Sequence, residues 1–173
     1  MKKPKTIFSV LLLLTLSVSF AQMKEIKVGH PFTISIPDYL TRSVGLNDVA
    51  SVQFQSSVKE VYGIVIEDNK EELTIAEMNY SSLEEFAEDF KKDFLNDEPT
   101  KKLTDTKIQK KGGNSVAEFE ATYMDKESNI EIYYYVGIVE TGLAYYKVLC
   151  WCENAEKAKY RDDFKKIAYS LKD

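Results

Sequence analysis

The sequence predicts an α+β fold in which an antiparallel β-sheet carries helices on both faces, an α/β/α sandwich. Three observations lead to this class. Short polar turns separate consecutive stretches of alternating apolar and polar residues, which is typical of antiparallel strands. Two of these stretches, residues 130–140 and 144–152, are apolar on both faces and therefore require cover on both. Two amphipathic helices, one central and one C-terminal, are available to supply that cover.

The first residues, MKKPKTIFSVLLLLTLSVSFAQ, have the organisation of a secretory signal peptide. Lys2, Lys3 and Lys5 precede an apolar segment, residues 7–18. This segment is shorter than the about 20 residues that span a bilayer. Small residues then lead to a predicted cleavage site after Ala21. An uncleaved membrane anchor is the alternative.

Cleavage of the signal peptide, residues 1–21, leaves residues 22–173, which we predict to form a single domain of 152 residues. It also removes three lysines and leaves 20 basic and 28 acidic residues, a formal net charge of −8. Such a charge disfavours contact with phosphate backbones and anionic lipid surfaces. We therefore expect an exported protein, periplasmic or extracellular, that binds no nucleic acid and is not stably inserted in a membrane after cleavage.

The first third of the mature chain predicts strands. Residues 25–36 alternate between apolar and polar with an interruption at Pro31, which favours an edge strand or a strand start. Residues 49–55 alternate again, and the nearly continuous apolar run 61–66 predicts a strand that is covered on both faces. The short polar segment between these two has the length of a β-hairpin loop.

Ser82 begins the strongest helix signal of the chain. Ser82 and Glu85 have the spacing of a capping box, and acidic residues occupy the first turn, where the helix dipole favours them. Pro99 closes the segment. Residues 68–80, before Ser82, are ambiguous: Leu73, Ala76 and Tyr80 would share a helical face, whereas residues 74–75 favour extended structure. The apolar positions recur at intervals of three and four: Leu83, Phe86, Ala87, Phe90 and Phe94.

The C-terminal half predicts four strands and a helix. Residues 107–110 and 117–123 indicate two strands about a glycine-containing turn. A short hairpin loop joins the two long strands that follow. A helix is predicted from about Ala155, with Asn154 as its N-terminal cap. Its apolar stripe consists of Tyr160, Phe164, Ile167, Ala168 and Leu171.

Several stretches of the chain resemble the PsbP-like superfamily. They are FTISIPDYL, VASVQFQSS followed by YGIVIED, SLEEFAEDF, YYYVGIVETGLAYYKVLCWCE and YRDDFKKIAYSLK. The resemblance lies in the apolar spacing of an extended start that ends in Ile-Pro, a central amphipathic helix, a long hairpin and a C-terminal helix. It implies an α/β/α sandwich and a non-enzymatic role, since members include photosystem assembly factors, a nuclear import cofactor and exported bacterial proteins. It carries over no functional residue.

The sequence offers no catalytic constellation. His30 is the only histidine, so a nucleophile–histidine triad would depend on it alone and a zinc site would lack a second imidazole. We therefore predict no enzymatic activity, no catalytic residue, and no metal or cofactor site. A hydrolase built on carboxylates alone is the alternative. It would require Glu118, Glu120 or Glu131 to meet in the largest cavity with raised pKa values.

Aromatic residues are the least ordinary feature of the sequence, and four of them are candidates for a ligand or partner surface. Tyr133, Tyr135, Tyr145 and Trp151 are predicted to share one sheet face through cross-strand pairing. If this face is open, we expect it to bind another envelope protein, with carriage of a small apolar or peptide ligand as the alternative. If the C-terminal helix covers it, the rings are core.

Cys150 and Cys152 flank Trp151 and form a candidate redox pair. Residues i and i+2 of a strand lie about 6.6 Å apart, which is close to the largest Cα separation that a disulfide tolerates. A strained local disulfide, a metal clip and two plain buried thiols are the three interpretations. The position at the end of a core strand favours buried thiols on the face opposite Trp151. Neither the partner nor the oligomeric state follows from the sequence.

Overall fold

The computed structural model of the protein describes residues 21–28, 32–111 and 113–173. His30 and nearly all of the predicted signal peptide lie outside these ranges. Within them, no helix has both the length and the apolar character that crossing a membrane requires.

The described residues form ten strands and three α-helices. The strands are β1 (Met23–Val28), β2 (Phe32–Pro37), β3 (Thr41–Arg42), β4 (Val52–Ser56), β5 (Val61–Asn69), β6 (Lys102–Leu103), β7 (Lys107–Lys111), β8 (Asn114–Asp125), β9 (Ile130–Glu140) and β10 (Ala144–Glu153). The helices are α1 (Lys70–Ile75), α2 (Leu83–Asp93) and α3 (Lys157–Tyr169).

An eight-stranded antiparallel sheet forms the centre of the molecule. Its order is β3-β4-β5-β10-β9-β8-β6, and β7 also pairs with β8. The predicted hairpins β4–β5 and β9–β10 are present. The chain therefore has an α+β fold with a mostly antiparallel sheet, as the sequence predicts.

Residues 25–28 and 32–36 belong to two paired strands instead of the single interrupted strand that their alternation predicts. β1 pairs antiparallel with β2, so that Ile26 lies opposite Ile34. The alternation has the same phase in both strands because directly paired residues of two antiparallel strands point to the same face. The backbone of Thr33 also exchanges two hydrogen bonds with Lys172, with N–O distances of 2.7 and 3.1 Å, which ties the hairpin to the chain end after α3.

Alternate residues of the sheet contribute to two separate hydrophobic clusters. Tyr135 of β9 belongs to the first cluster, together with Phe164 of α3 and the buried side chains of β2. Val136, the next residue of β9, belongs to the second cluster, together with Phe86 of α2. Successive strand residues point to opposite faces of a sheet, so α2 and α3 each pack with a different set of strand residues.

The two predicted helix caps have different outcomes. Ser82 caps α2 as predicted, since its hydroxyl accepts a hydrogen bond of 3.1 Å from the Glu85 backbone N–H. Asn154 does not cap α3. It begins a 3₁₀ turn that ends at Glu156, and its side-chain amide donates to Glu131 at 2.6 Å. α3 therefore begins at Lys157, two residues later than the capping pattern indicates.

Gly137 of β9 permits the close approach of α3 to the sheet. A Cβ atom at this position would lie 2.6 Å from the Cβ of Ala168, which is shorter than any ordinary contact between such atoms. Both residues are buried. The pairing of a glycine on the strand with an alanine on the helix therefore sets the distance between these two elements.

Candidate functional site

The four aromatic residues predicted to form one surface lie in two different clusters. Tyr133 and Tyr135 are 0% and 2% exposed and belong to the cluster that contains α3, whereas Tyr145 and Trp151 belong to the cluster that contains α2. The prediction of one shared face is therefore wrong. Its error lies in the register, because Trp151 of β10 pairs with the even-numbered Tyr134 of β9. Tyr133 and Tyr135 must then point the other way.

Tyr133 and Tyr135 are core residues beneath α3. The ring of Tyr133 stacks on Phe164 with a centroid distance of 6.3 Å. The hydroxyl of Tyr135 donates to the Glu118 carboxylate at 2.6 Å, and burial together with this carboxylate raises the pKa of Tyr135 far above its usual range. For these two residues the C-terminal helix supplies the cover, as the alternative interpretation of the aromatic face predicts.

A continuous row of aromatic rings crosses the other face of the sheet. We call Tyr62, Trp151, Tyr134 and Tyr123 the aromatic row, since they occupy the adjacent strands β5, β10, β9 and β8. Neighbouring ring centroids are 5.5, 5.4 and 6.3 Å apart, and the rings are inclined by only 18°, 23° and 30°. All four residues are half-buried. The row therefore retains some surface that is accessible to solvent.

Only Trp151 of the aromatic row is among the residues that the sequence identified. Tyr62 and Tyr134 lie directly opposite Trp151 in the register. The β9–β10 register is set by a short hairpin loop, and that signal could have identified Tyr134. β5 and β10 are distant in sequence, so no local signal places Tyr62 opposite Trp151. Burial raises the pKa of Tyr123, with further contributions from Glu98 and Asp125, so its phenol remains protonated at neutral pH.

A cavity of about 350 Å³ lies next to the aromatic row, between α2 and strands β5 and β10. Phe94 connects the two features, because it lines the cavity and meets the ring of Tyr134 edge-on at 5.5 Å. The remaining lining residues are Asp68, Leu73, Met78, Tyr80, Phe86, Asp89, Phe90, Asp93, Leu95 and Lys147. Its walls are therefore aromatic and apolar, with charged groups at a few points.

An ion pair forms part of the cavity wall. Lys147 Nζ lies 2.7 Å from Asp68 Oδ2, and the two side chains are 15% and 23% exposed. The same ammonium is 5.4 Å from the centroid of Phe90 and 6.0 Å from that of Phe86. These distances are within the range of cation–π attraction. The cavity thus already accommodates one cation against its aromatic wall.

Glu118 does not have the properties of a general acid. It is 8% exposed and accepts hydrogen bonds from Lys165 at 2.8 Å and from Tyr135 at 2.6 Å. Burial by itself raises the pKa of this carboxyl group, but the hydrogen bonds from Lys165 and Tyr135 outweigh burial and hold the pKa below its usual value. A general acid at neutral pH needs the opposite shift.

Glu120 is neutralised in the same way. It accepts hydrogen bonds from Lys157 at 2.6 Å and from Arg161 at 2.5 Å. These two cations outweigh the effect of burial and lower the pKa of Glu120. Glu118 and Glu120 both line a second cavity of about 190 Å³, whereas Glu131 lines neither this cavity nor the larger one. The carboxylate-hydrolase alternative therefore gains no support.

Cys150 and Cys152 are free thiols, and both are buried in the cluster beneath α3. They point away from Trp151, as predicted. Burial raises the pKa of Cys150 well above its usual value, and burial followed by Glu156 and Glu153 raises that of Cys152 to about 12. Reactive thiols have lowered pKa values, so the redox-pair interpretation gains no support.

The part of the chain that the structure describes contains no cluster of three or more metal-ligating side chains.

We expect the thiols to react only after unfolding. Titration of the native protein with a thiol reagent should detect almost no reaction, because both sulfur atoms are buried and protonated. Titration in denaturant, without prior reduction, should detect two thiols. A control sample reduced before denaturation should give the same count. Zero thiols in the unreduced sample would demonstrate a disulfide and contradict this assignment.

No known family model matches the chain, and no curated protein is detectably similar in sequence. Solved structures are similar in fold. Cyanobacterial PsbP (CyanoP) from Synechocystis sp. PCC 6803 superposes with a TM-score of 0.59 at 10% identity, over 90% of this chain and 95% of that protein. LpqN, which is involved in cell envelope biogenesis of Mycobacterium tuberculosis, superposes with a TM-score of 0.58 at 12% identity, over 88% and 91%.

A Pseudomonas aeruginosa protein of unknown function is similar in fold over most of both chains. Its TM-score is 0.53 at 9% identity, over 87% of this chain and 96% of that protein. Identities this low show the fold alone. The protein has a PsbP-like fold, which confirms at the level of fold the resemblance found in the sequence.

Proposed function

We propose that this protein is an exported, non-enzymatic accessory domain of the cell envelope that binds another envelope protein through its aromatic row. The observation that carries the proposal is the half-buried state of all four rings across four adjacent strands. Aromatic ladders beneath a helix are fully buried, as Tyr133 and Tyr135 are. The row differs in retaining accessible surface.

The physical properties of the row suit a protein interface. Tyrosine and tryptophan dominate the residues that contribute most to binding free energy. Each ring of the row is held by its neighbours, so binding immobilises few additional torsion angles. Stacking occupies the ring faces between neighbours, so a partner would meet the ring edges. The tyrosine hydroxyl groups and the indole N–H lie at these edges and can form hydrogen bonds with the partner.

An α/β/α arrangement, in which α2 covers only part of one sheet face, supports the exposure of the aromatic row. We propose that α2 lies on one face of the sheet and α3 on the other, since they pack with alternate residues of the same strands. α2 ends at Asp93, and the ring of Phe94 that follows it reaches only Tyr134 of the row. The strand ends that carry Tyr62 and Trp151 would then extend past the cover of α2.

Export and an envelope role rest on two lines of support. The first residues have the pattern of a secretory signal peptide. The second is the fold shared with LpqN, which is involved in cell envelope biogenesis. The absence of enzymatic activity is supported by the lowered pKa values of Glu118 and Glu120.

Photo-crosslinking in cells tests the proposal. The full chain should be expressed in its host with a photoreactive phenylalanine analogue at Tyr62, and a control should carry the analogue at Val58, which is 94% exposed in the adjacent β4–β5 turn. We expect a discrete adduct in the envelope fraction from position 62 and none from position 58. A purified partner identified from the adduct should bind the Trp151→Ala variant about 30-fold more weakly, as for an interface hot spot.

Two outcomes would contradict the proposal. The first is equal crosslinking from positions 62 and 58, since a specific interface does not label a neighbouring exposed turn. The second is unchanged partner affinity after Trp151→Ala. A circular dichroism spectrum of the variant should match that of the wild type, because Trp151 is only half-buried.

Carriage of a small ligand is the second candidate function. The cavity beside the row favours it, since about 350 Å³ is within the size range of small-molecule sites. Native mass spectrometry of the protein purified from its host distinguishes the two functions. A bound small molecule without a crosslinked partner would replace the accessory role by the carrier role.

A further inference from the structure

We propose that the cavity between α2 and strands β5 and β10 binds an organic cation, an ammonium group on an apolar stem. This goes beyond the proposed function, since it assigns a ligand class to a site that is distinct from the aromatic row. Three features of the cavity carry the proposal: its aromatic wall, the sign of its charge, and the position of its own lysine.

Aromatic and aliphatic side chains form most of the cavity wall. Phe86 and Phe90 of α2 line it together with Phe94, and Tyr80 closes it from the segment after α1. Tyr80 is fixed in this place, since its ring meets Phe86 edge-on at 5.0 Å and its hydroxyl donates to Asp89 at 2.9 Å. Such a wall can cover an apolar stem and attract a cation through the ring faces.

The charged groups of the cavity favour a cation over an anion. Asp68, Asp89 and Asp93 line it, against a single cationic side chain, Lys147. The formal charge of the lining is therefore −2, and Lys92, outside the lining, pairs with Asp89 at 3.1 Å. The side chain of Asp93 is exposed and makes no hydrogen bond or ion pair with other described residues. A cationic ligand finds at Asp93 a carboxylate that no neighbouring group neutralises.

Lys147 shows where a cation is held. Its ammonium is near both Phe90 and Phe86 and lies 2.7 Å from Asp68 Oδ2. That oxygen is buried, and it makes no hydrogen bond of acceptable geometry within the described part of the chain. The contact between Lys147 Nζ and Asp68 Oδ2 is therefore an ion pair without a well-formed hydrogen bond. Asp68 can accept a hydrogen bond from a further donor. A ligand ammonium would thus enter beside Lys147 and share the Asp68 carboxylate with it.

The same ammonium chemistry is carried by a free amine or by a lysine side chain of a docked segment. Three probes of equal apolar stem define the class: 2-phenylethylammonium, the neutral 2-phenylethanol and the anion 3-phenylpropionate. A fourth probe, the capped dipeptide acetyl-Phe-Lys-amide, represents the peptide source. Each should be titrated into the exported protein while backbone amide chemical shifts are recorded.

We expect 2-phenylethylammonium to shift the amides of the cavity residues and to bind about tenfold more tightly than 2-phenylethanol. The anion should not bind. If the capped dipeptide binds more tightly than the free amine, the natural source is a protein segment. If it binds more weakly, the source is a small amine. Both results support the proposal.

Two variants test the charge argument, because they should change the affinity for 2-phenylethylammonium in opposite directions. Lys147→Met should tighten binding of 2-phenylethylammonium by about tenfold, because it removes a like charge and frees Asp68. Asp93→Asn should weaken binding about threefold, as expected for an exposed ion pair. Asp162→Asn, which removes an exposed carboxylate of α3 outside the cavity, should leave binding unchanged. This control separates a local effect from the net charge of the protein.

The proposal is overturned by any of three results. One is preferential binding of 3-phenylpropionate that Lys147→Met abolishes, which would make the cavity an anion site. Another is equal affinity for the amine and the alcohol, which would make it purely apolar. The last is amide shifts confined to residues outside the cavity. If Lys147→Met fails to fold, the comparison of probes and the Asp93→Asn variant still decide between these outcomes.

Discussion

Replacement of Phe164 by alanine is expected to lower the free energy of unfolding by about 3–5 kcal/mol, the range for a fully buried phenylalanine. Phe164 is 0% exposed at the centre of the cluster beneath α3. Its ring stacks on Tyr133 and on Tyr160, each with a centroid distance of 6.3 Å. Truncation would leave a cavity between two large rings that cannot close it without moving α3.

Chemical denaturation monitored by circular dichroism measures this loss. Asp162→Ala, on the same helix, is a suitable control, since Asp162 is exposed and should change stability by less than about 0.5 kcal/mol. A cost below about 1 kcal/mol for Phe164→Ala would indicate that α3 is not the cover of Tyr133. The buried aromatic surface of β9 would then need another partner.

Replacement of Glu118 by alanine is expected to cost about 2–4 kcal/mol, because it removes a carboxylate that one buried donor and two partly buried donors share. Tyr135 would lose the acceptor of its 2.6 Å hydrogen bond, and its hydroxyl has little access to water. Lys165 and Tyr169 of α3 would lose the same partner, at 2.8 and 3.2 Å. Glu118 therefore connects strand β8 to both β9 and α3.

The contribution of Glu118 should also depend on pH. Its pKa in the folded protein is lowered, whereas a glutamate in the unfolded chain titrates near 4.3. A carboxylate with this sign of shift stabilises the fold fully above the unfolded pKa and loses its contribution as the pH falls through the folded pKa. The wild-type protein should thus lose stability below about pH 4–5, and Glu118→Gln should lose less over the same interval.

Denaturation curves at several pH values test both statements. Glu127→Gln is the matched control, since Glu127 is exposed in the turn between β8 and β9 and its replacement should change stability by less than about 0.5 kcal/mol at any pH. An identical pH dependence of the wild type and Glu118→Gln would contradict the assignment of the lowered pKa to this carboxyl group.

The structural role of Glu118 and Glu120 beneath α3 could not be predicted from the sequence. Both alternate with the apolar residues of β8, and that pattern places them on a solvent face. In the structure this face is crossed by α3, whose Lys157, Arg161 and Lys165 neutralise the two carboxylates. A polar strand face beneath a basic helix surface resembles a solvated face in the sequence alone.

The sequence by itself determined the elements that local chemistry controls. Alternation at period two marked the strands, hydroxyl and carboxylate spacing marked the cap of α2, and apolar spacing marked the buried stripe of α3. The position of Cys150 and Cys152 opposite Trp151 follows from the same period. Each of these depends on neighbours within a few residues along the chain.

Only the tertiary structure decided which aromatic rings meet. Tyr62, Trp151, Tyr134 and Tyr123 come from four strands, and a register shift of one residue would place any of them on the other face. The cavity beside them likewise requires Asp68 and Lys147 of the sheet to meet the phenylalanines of α2. Strand pairing and helix placement depend on contacts between residues distant in sequence, which no local pattern contains.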